Sequence, residues 1–290
     1  MPSPVLRFAP SPNGRLHLGH AYSALLNAAF AARMHGRLLL RLEDIDPLRC
    51  RPDLAAAILD DLRWLGVAFE TPVRRQSEHI GEYRAVLDGL RARGLTYPCF
   101  CSRKAVAAAA GGTDPDGAPL YPGTCRGRAD AHALIAAGRP HAWRLDSRAA
   151  LSEAGGGLAV PVLAESGTVS SRPAEPARWG DAVVGRKDVP TSYHLAVVWD
   201  DALQGVTHVV RGRDLEAASD LHVLLQALLG LPSPAYHHHA LIRDAAGAKL
   251  SKSLGSVALA ELRQGGVTAG EVWLRLGFRR ADDDTPVSLA

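Results

Sequence analysis

The stretch R-F-A-P-S-P-N-G-R-L-H-L-G-H runs from Arg7 to His20 and decides the fold. Its first residues belong to an apolar run, Val5 to Ala9, that is typical of a short buried strand and ends at the following prolines. After it, an Ala- and Leu-rich run from about Leu18 to Met34 predicts a helix that ends at Gly36. The motif therefore joins a strand to a helix start, where unpaired backbone N–H groups and the helix dipole favour a phosphate.

The alternation of strand and helix continues along the chain. Leu38 to Leu42 predicts a second strand, and an acidic turn from Glu43 to Pro47 follows it directly. Strands separated by helices predict a parallel sheet with crossover connections. The other predicted elements are helices over Leu54–Leu65, Ile80–Arg93 and Ser219–Leu229, and strands over Tyr193–Trp199 and Val206–Arg211.

The middle of the chain differs in composition from both ends. Residues 99–130 hold cysteines, glycines and prolines with little periodicity, and residues 155–180 are rich in Gly, Pro, Ser and Ala. We therefore expect an α/β protein whose parallel-sheet domain is interrupted by an inserted module. The expected segments are the first half of that domain (1–97), the inserted module (98–185), the second half (186–253) and a short helical C-terminal segment (254–290).

Composition limits the classes of protein to which the chain can belong. A net charge of +3, from 33 basic and 30 acidic residues, excludes a strongly basic tail but not a local basic face. The sequence shows no signal-peptide pattern and no apolar run of ~18 residues. Four cysteines without a secretory signal favour a reducing compartment, so we expect a cytoplasmic protein, and a monomer.

A second signature, K-L-S-K-S, covers Lys249 to Ser253. Two lysines in a glycine-flanked loop suit a moving pyrophosphate, because lysine is a flexible point charge, although a solvated basic loop would look similar. In the first signature, His17 and His20 could donate to phosphoryl oxygens as charge develops. The H-x-G-H core is weak evidence alone, since two surface histidines at a helix start would give the same letters.

Together, the two signatures resemble the catalytic domain of class I glutamyl-type aminoacyl-tRNA synthetases. The blocks between them agree with that family: R-L-E-D-I-D from Arg41, Y-H-L-A-V-V-W-D-D from Tyr193, and V-R-G-R-D-L from Val210. Little chain follows the second signature, whereas ordinary members carry a long anticodon-binding region. In length the chain is similar to the glutamyl-Q tRNA(Asp) synthetases, a shorter group that attaches glutamate to the queuosine base of a tRNA anticodon. Leu250 replaces the Met found in many class I enzymes.

The resemblance implies that the α/β domain is a Rossmann-type catalytic domain with a site for ATP and glutamate. Catalysis is expected from His17, His20, Lys249 and Lys252, and ATP contacts from Gly19, His17, His20 and Lys252. Residue chemistry supports a glutamate pocket, since arginine can grip a carboxylate bidentately and Glu43 can hold an ammonium. Two alternatives stay open, namely that Arg41 and Glu43 form a surface ion pair and that Tyr193 belongs to the core. The expected glutamate-binding residues are Arg7, Phe8, Ala9, Pro10, Ser11, Glu43, Tyr193 and Arg211.

Three of the four cysteines lie in one short stretch, as C-F-C at Cys99 to Cys101 and then Cys125. Thiolates joined by Gly- and Pro-rich loops suit one structural, tetrahedral Zn²⁺, although unliganded thiols in a small core are an alternative. The resemblance implies Tyr121 as the fourth ligand, and His132 and Asp116 are the other candidates. Cys50 stands apart, and we interpret it as structural.

The resemblance therefore predicts an enzyme that uses ATP with Mg²⁺, L-glutamate and queuosine-bearing tRNA(Asp). One alternative is a truncated glutamyl-tRNA synthetase that charges a tRNA 3′ end, and another is a non-catalytic RNA-binding regulator. The inserted module also holds a basic cluster, Arg103, Lys104, Arg126 and Arg128. This cluster could contact RNA phosphates, or it could equally be a solvated face. The run His237–His239 has no role that we can derive, and packing beside the nucleotide or weak metal binding are both possible for it.

Overall fold

A computed structural model describes residues 3–242 and 257–279, together with the backbone of residues 288–289. Its α-helices are, in chain order, α1 (Leu18–Arg33), α2 (Pro52–Trp64), α3 (Ile80–Ala92), α4 (Arg103–Ala109), α5 (Ala131–Ala136), α6 (Ser147–Ala154), α7 (Tyr193–Leu203), α8 (Ala218–Leu229), α9 (Leu259–Gln264) and α10 (Ala269–Arg275). Its strands are β1 (Val5–Phe8), β2 (Arg37–Leu42), β3 (Glu70–Arg75), β4 (Thr96–Cys99), β5 (Ala142–Leu145), β6 (Ala159–Leu163), β7 (Val169–Pro173), β8 (Val183–Gly185), β9 (His208–Gly212), β10 (Ala235–His239), β11 (Phe278–Arg279) and β12 (Ser288–Leu289).

The large sheet has seven strands in the order β3-β2-β1-β9-β10-β6-β7. All neighbours in it are parallel except β6 and β7, which pair in antiparallel fashion at one edge. Strand β1 lies between β2, which follows it closely in sequence, and β9, which comes some 200 residues later. The chain thus reverses its direction of winding at β1, and open α/β sheets bind ligands at the carboxyl ends of the strands beside such a point.

Alternation along the strands separates two cores on opposite faces of the sheet. Leu6 and Phe8 of β1 pack with α1, α2 and α10, whereas Val5 faces the side of α8. A further apolar cluster joins α3, α6, α7 and α8. In β1, Arg7 lies on the same face as Val5 and therefore points toward α7 and α8.

Four predicted helices are confirmed, with ends within two residues of those expected from sequence, as α1, α2, α3 and α8. The predicted strand over Tyr193–Trp199 is wrong, because these residues form the start of α7. Ser192 caps that helix, since its hydroxyl accepts a hydrogen bond from the Leu195 N–H. An unbroken apolar run has no period that separates a buried strand from a buried helix, which is why the sequence misled.

The four segment boundaries drawn from sequence remain a prediction. Within the range 98–185, the strands β5 and β8 form a small antiparallel sheet with β4. Strands β6 and β7 of the same range instead extend the large sheet next to β10. The middle of the chain therefore contributes to two sheets.

The last part of the chain contains α9 and α10, as a helical segment requires, and also the antiparallel pair β11 and β12, which the sequence did not predict. Lys249 and Lys252, with the whole K-L-S-K-S signature, lie outside the described residues. Among the helices that the structure describes, none is long and apolar enough to cross a bilayer.

Candidate active site

The first turn of α1 is organised by the two histidines of the H-L-G-H motif. His17 is the N-cap, and its Nδ1 accepts a hydrogen bond from the Gly19 N–H at 3.1 Å. The Nδ1 of His20 accepts from the His17 N–H at 3.2 Å. A ring nitrogen that accepts a backbone N–H carries no hydrogen, so each neutral ring carries its hydrogen on Nε2. The pair can therefore present two N–H donors at a helix N-terminus, where anions bind.

Gly19 accommodates the close approach of the His17 ring. A Cβ atom at this position would lie 3.0 Å from Cε1 and 3.2 Å from Nδ1 of His17, which is tighter than normal contact. A side chain at this position would therefore require the ring that caps the helix to move by a few tenths of an ångström. Both histidines and Gly19 line a cavity of about 910 Å³ at the carboxyl ends of the strands.

Three buried arginines on neighbouring strands point to the face covered by α7 and α8. Arg7 lies in β1, Arg41 in β2 and Arg211 in β9. Asp201 of α7 compensates the first two, since it binds Nε of Arg7 at 3.1 Å and Nη1 of Arg41 at 2.7 Å. Both guanidinium groups hold the pKa of the Asp201 carboxyl below its usual range, although burial alone would raise it.

Arg7 was expected to grip a ligand carboxylate with both ends of its guanidinium group. Its Nε and Nη2 instead bind the two oxygens of Asp201, at 3.1 and 3.4 Å. Arg7 still lines the large cavity, so a single contact from Nη1 to a ligand remains a prediction. The bidentate contact of the Arg7 guanidinium group is therefore made with Asp201 and not with a ligand.

Arg211 has no carboxylate in direct contact within the described part of the chain, although Asp116 interacts with it electrostatically at longer range. Arg211 is 5% exposed and lines the same cavity. None of the ion pairs within 4.0 Å that the described residues form includes Arg211. A buried guanidinium without a carboxylate partner is costly, so an anionic ligand would stabilise it. The neighbours of Arg211 are neutral groups: Ser219 Oγ at 2.8 Å from Nη2, His238 Nε2 at 3.3 Å from Nε, and His222 Nδ1 and Tyr193 OH at 3.4 and 3.5 Å from Nη1.

Glu43 follows β2 and forms an ion pair with Nη2 of Arg41 at 3.2 Å. The alternative of a surface pair is wrong in its location, because the Arg41 side chain is fully buried and that of Glu43 is 11% exposed. Burial raises the pKa of the Glu43 carboxyl, while Arg41 and Arg7 oppose the rise. An incoming ammonium group would favour the ionised form further.

The remaining residues of the expected glutamate site also meet at this cavity. Phe8, Ala9, Pro10 and Ser11 line it in sequence after Arg7, and Tyr193 lines it from the first turn of α7. Tyr193 is thus a helical residue beside Arg211 and not a strand residue. It packs against the apolar cluster of α3, α6, α7 and α8 and also lines the cavity, so the alternative of a core role stays open. A second cavity of about 570 Å³ shares Ser11, Glu43 and Tyr193 with the first and extends toward the small antiparallel sheet.

The cysteines of the middle segment also come together. The Sγ atoms of Cys99, Cys101 and Cys125 all lie within 4.8 Å of one another, and those of Cys101 and Cys125 are 3.6 Å apart. Tetrahedral ligands at a Zn–S distance of ~2.3 Å lie roughly 3.8 Å apart, so the cluster has a suitable size for zinc. The Tyr121 hydroxyl lies 3.8 Å from Sγ of Cys101 and accepts the Cys125 N–H at 2.9 Å.

This geometry favours Tyr121 over the two other candidates for a fourth ligand. His132 is an exposed residue of α5, and among the described residues neither His132 nor Asp116 belongs to the group of ligand atoms that lie within 4.8 Å of one another. Although burial opposes it, hydrogen bonds from Tyr121 and the Phe100 N–H lower the pKa of the Cys125 thiol to about 7. The Cys125 thiolate, the form that binds metal, is therefore accessible near neutral pH, whereas burial raises the pKa of the Cys101 thiol.

Residues 5–269 match the catalytic domain of the class I tRNA synthetases for E and Q. The chain belongs to this family. It is 46% identical over 289 residues to the glutamyl-Q tRNA(Asp) synthetase of Rhodobacter capsulatus, with 94% of this chain and 100% of that protein aligned. It is 40% identical over 296 residues to the glutamyl-Q tRNA(Asp) synthetase of Symbiobacterium thermophilum, covering 97% of this chain and 87% of that one.

The fold is also that of solved glutamate tRNA ligases. The enzyme of Elizabethkingia meningosepticum, in complex with its amino acid, superposes with a TM-score of 0.68 at 22% identity. The match covers 100% of this chain and 57% of that one. At this level of identity the likeness concerns the fold of the synthetase domain.

Sequence reasoning missed Ser219 and His222 beside Arg211 and the role of Asp201 in α7. Asp201 was quoted within a motif without a role, and Ser219 and His222 were not singled out at all. Their positions in α8 give no sign that they face a strand residue eight or eleven positions earlier. The run at 237–239 lies in β10, where His238 contacts Arg211 and His239 lines the large cavity.

The basic cluster of the middle segment is partly engaged within the protein. Arg126 binds the buried Asp181, and Arg128 binds Asp130 on the surface. Arg103 and Lys104 are exposed residues at the start of α4. Contact with RNA therefore remains a prediction, and it favours the α4 pair because their charges are not shared with carboxylates in the described part of the chain.

Proposed function

We propose that the chain activates L-glutamate with ATP as glutamyl-adenylate and transfers the glutamyl group to the queuosine base in the anticodon of tRNA(Asp). The reaction is the one that the names of its relatives state. The observation that supports it most directly is the buried, uncompensated Arg211 in a cavity shared with the histidines of α1. A side-chain carboxylate at Arg211 and phosphates at α1 would fill the two charged ends of one cavity.

In the first step an oxygen of the glutamate α-carboxylate attacks the α-phosphorus, and the bond to pyrophosphate breaks. Arg211 and Tyr193 hold the side-chain carboxylate, and Glu43 holds the α-ammonium. His17 and His20 donate Nε2–H to phosphate oxygens, and Lys249 and Lys252 neutralise the pyrophosphate as it leaves. No general base is needed, because the carboxylate is already ionised, so positioning and electrostatics supply the catalysis.

Two metal ions belong to the proposal. Magnesium would accompany ATP and neutralise phosphate charge, bound mainly by the nucleotide and water. Zinc would be structural and held by Cys99, Cys101, Tyr121 and Cys125, whose spacing suits it. Such a site would fix the loops beside the small sheet, where apolar packing is limited to a few residues.

In the second step a hydroxyl of the queuosine cyclopentenediol attacks the carbonyl carbon of the adenylate, and AMP leaves. The second cavity opens beside Glu43 and Tyr193 and reaches the metal-site loops, so it offers a path for the acceptor base. We further infer that the enzyme acts in the cytoplasm, where ATP and tRNA are found, and as a monomer.

The test has two stages. Glutamate-dependent ATP–pyrophosphate exchange comes first, and its absence would leave only the non-catalytic regulator. Radiolabelled glutamate is then offered to tRNA(Asp) with and without queuosine, and the product is digested with nuclease. We expect label on the anticodon fragment of the modified tRNA alone, whereas label on the 3′-terminal nucleoside would establish the truncated glutamyl-tRNA synthetase instead.

A further inference from the structure

The groups that accept hydrogen bonds from Arg211 share one property, which is that each is uncharged when it accepts. Ser219 accepts from Nη2 through its hydroxyl, and His238 accepts from Nε through Nε2. His222 accepts from Nη1 through Nδ1. An aspartate or glutamate at one of these positions would compensate the charge of Arg211, as Asp201 compensates that of Arg7.

The direction of each hydrogen bond fixes the state of the two rings. A guanidinium group has only donors, so each ring nitrogen that faces it must carry a lone pair and no hydrogen. His222 then carries its hydrogen on Nε2, which lies 3.2 Å from Nδ1 of His194 and donates to it. His238 carries its hydrogen on Nδ1. A protonated ring would have no lone pair for Arg211 and would add a second positive charge.

The surroundings favour the neutral rings independently of this geometry. His222 is 2% exposed and lies between α7 and the sheet, beside His194 and Tyr193. Burial and then Arg211 lower the pKa of His222, and burial, with Arg211 second, lowers the pKa of His238 to about 3. At neutral pH the shell around the guanidinium therefore carries no charge of its own.

We propose that His222 and His238 are positioning residues that determine specificity: they fix the guanidinium plane of Arg211 while leaving its positive charge for a ligand carboxylate. Arg7, whose charge Asp201 already compensates, cannot select a carboxylate in the same way. An uncharged amide could accept a hydrogen bond from Arg211 but would leave its charge uncompensated, so the neutral shell favours glutamate over glutamine. The identity of the ligand rests on the proposed function.

The test compares two variants of equal size at position 222. In His222→Asn the Oδ1 atom can stand where Nδ1 does and accept from Arg211, and in His222→Asp the same atom brings a negative charge. Full-length protein is used in glutamate-dependent ATP–pyrophosphate exchange. We expect the KM for glutamate of the Asp variant to exceed that of the Asn variant about 100-fold, because the new carboxylate competes for Arg211. The KM for ATP should agree within about twofold, since the histidines of α1 are unchanged.

A second pair guards against failure of the buried variant to fold. His238 is only partly buried, and Gln and Glu can place an oxygen near the position of Nε2. The Glu variant should again show the higher KM for glutamate, and inhibition by L-glutamine should change little between Gln and Glu. Equal KM values within each folded pair would overturn the proposal. Absence of exchange in the unmodified protein would instead overturn the proposed function, so the two failures are distinguishable.

Discussion

Arg7 and Arg211 are buried arginines on adjacent strands that differ in what compensates their charge. Asp201 binds Arg7 through two oxygens, whereas the hydrogen-bond partners of Arg211 among the described residues are hydroxyl groups and neutral rings. The guanidinium group of Arg7 is therefore expected to stabilise the fold, whereas that of Arg211 is the one that we propose binds an anion. Substitutions at the two positions should accordingly separate stability from ligand binding.

Replacement of Arg211 by Met should abolish most glutamate activation. We expect kcat/KM for glutamate to fall by roughly 10² to 10³, because the ligand carboxylate loses its buried partner. The free energy of unfolding should change little, since no protein carboxylate in the described chain depends on Arg211. Exchange assays over a range of glutamate concentrations, with urea unfolding of the same preparation, measure both.

Arg7→Met is the matched control for this prediction. It leaves Asp201 buried with Arg41 as its remaining partner, so urea unfolding should show a loss of up to about 3–5 kcal/mol. If Arg211→Met destabilised the protein as much as Arg7→Met and left exchange within tenfold of normal, the contrast between the two arginines would be wrong.

At the scale of elements, the start of α1 has two roles that use different atoms of the same ring. The Nδ1 atom of His17 caps the helix, and the Nε2 atom is the donor that would face a phosphate. His17→Asn keeps an oxygen in the place of Nδ1 and removes Nε2, whereas His17→Ala removes both. The two variants can therefore distinguish capping from catalysis.

We expect His17→Asn to keep its stability and to lose about 10²-fold in kcat of exchange, as when a transition-state donor is removed elsewhere. His17→Ala should show the same kinetic loss and a further destabilisation of about 1 kcal/mol from the lost cap. Thermal unfolding and exchange kinetics provide the measurements. Normal kcat in the Asn variant would show that His17 only caps the helix.

The cysteine cluster makes a separate prediction about a single site. Purified protein should carry about one zinc per chain by atomic emission, and Cys125→Ser should lose it together with stability. Tyr121→Phe should bind zinc more weakly, whereas His132→Ala, which changes an exposed residue of α5, should bind it normally. A metal-free preparation as stable as one loaded with zinc, or zinc loss in His132→Ala alone, would contradict the assignment.

At the scale of the whole molecule, buried histidines link stability to pH. Burial lowers the pKa of His194 to about 4, with a smaller effect of Arg211, and an unfolded histidine titrates near ~6.5. Between these values the unfolded chain binds a proton that the folded chain does not. The contribution of His194 to the free energy of unfolding is therefore complete above pH ~6.5 and is lost as the pH falls toward 4. Asp61 opposes this trend, because burial raises its pKa to about 6.

Comparison with His194→Asn isolates the effect of one histidine. As the pH falls from 6.5 toward 4, the unmodified protein should lose up to about 1.4 kcal/mol per pH unit relative to the variant. Asn can still accept from His222 through Oδ1, so the hydrogen bond is retained. Urea unfolding at several pH values gives the two curves, and parallel curves would show that His194 does not titrate differently on folding.

Much of the fold follows from local patterns. The strand at Val5, the helix over Leu18–Arg33 and the helix that ends at Leu229 were each predicted from apolar runs and their stop residues. The start of α7 was predicted incorrectly, because apolar residues on all sides leave no period to detect. Membership of the glutamyl-type family was likewise evident from two short signatures, which specify backbone shape and charge together.

The sequence by itself determined the helix start that can hold phosphate, the family and the residue types of a glutamate site, because these depend on neighbours along the chain. Only the tertiary structure decided which arginine is paired with a carboxylate and which, among the described residues, is not. Arg7 and Arg211 are indistinguishable as letters, and what separates them is that α7 brings Asp201 to one while α8 brings Ser219 and His222 to the other. Charge compensation is a property of groups that meet in space, and no local pattern encodes it.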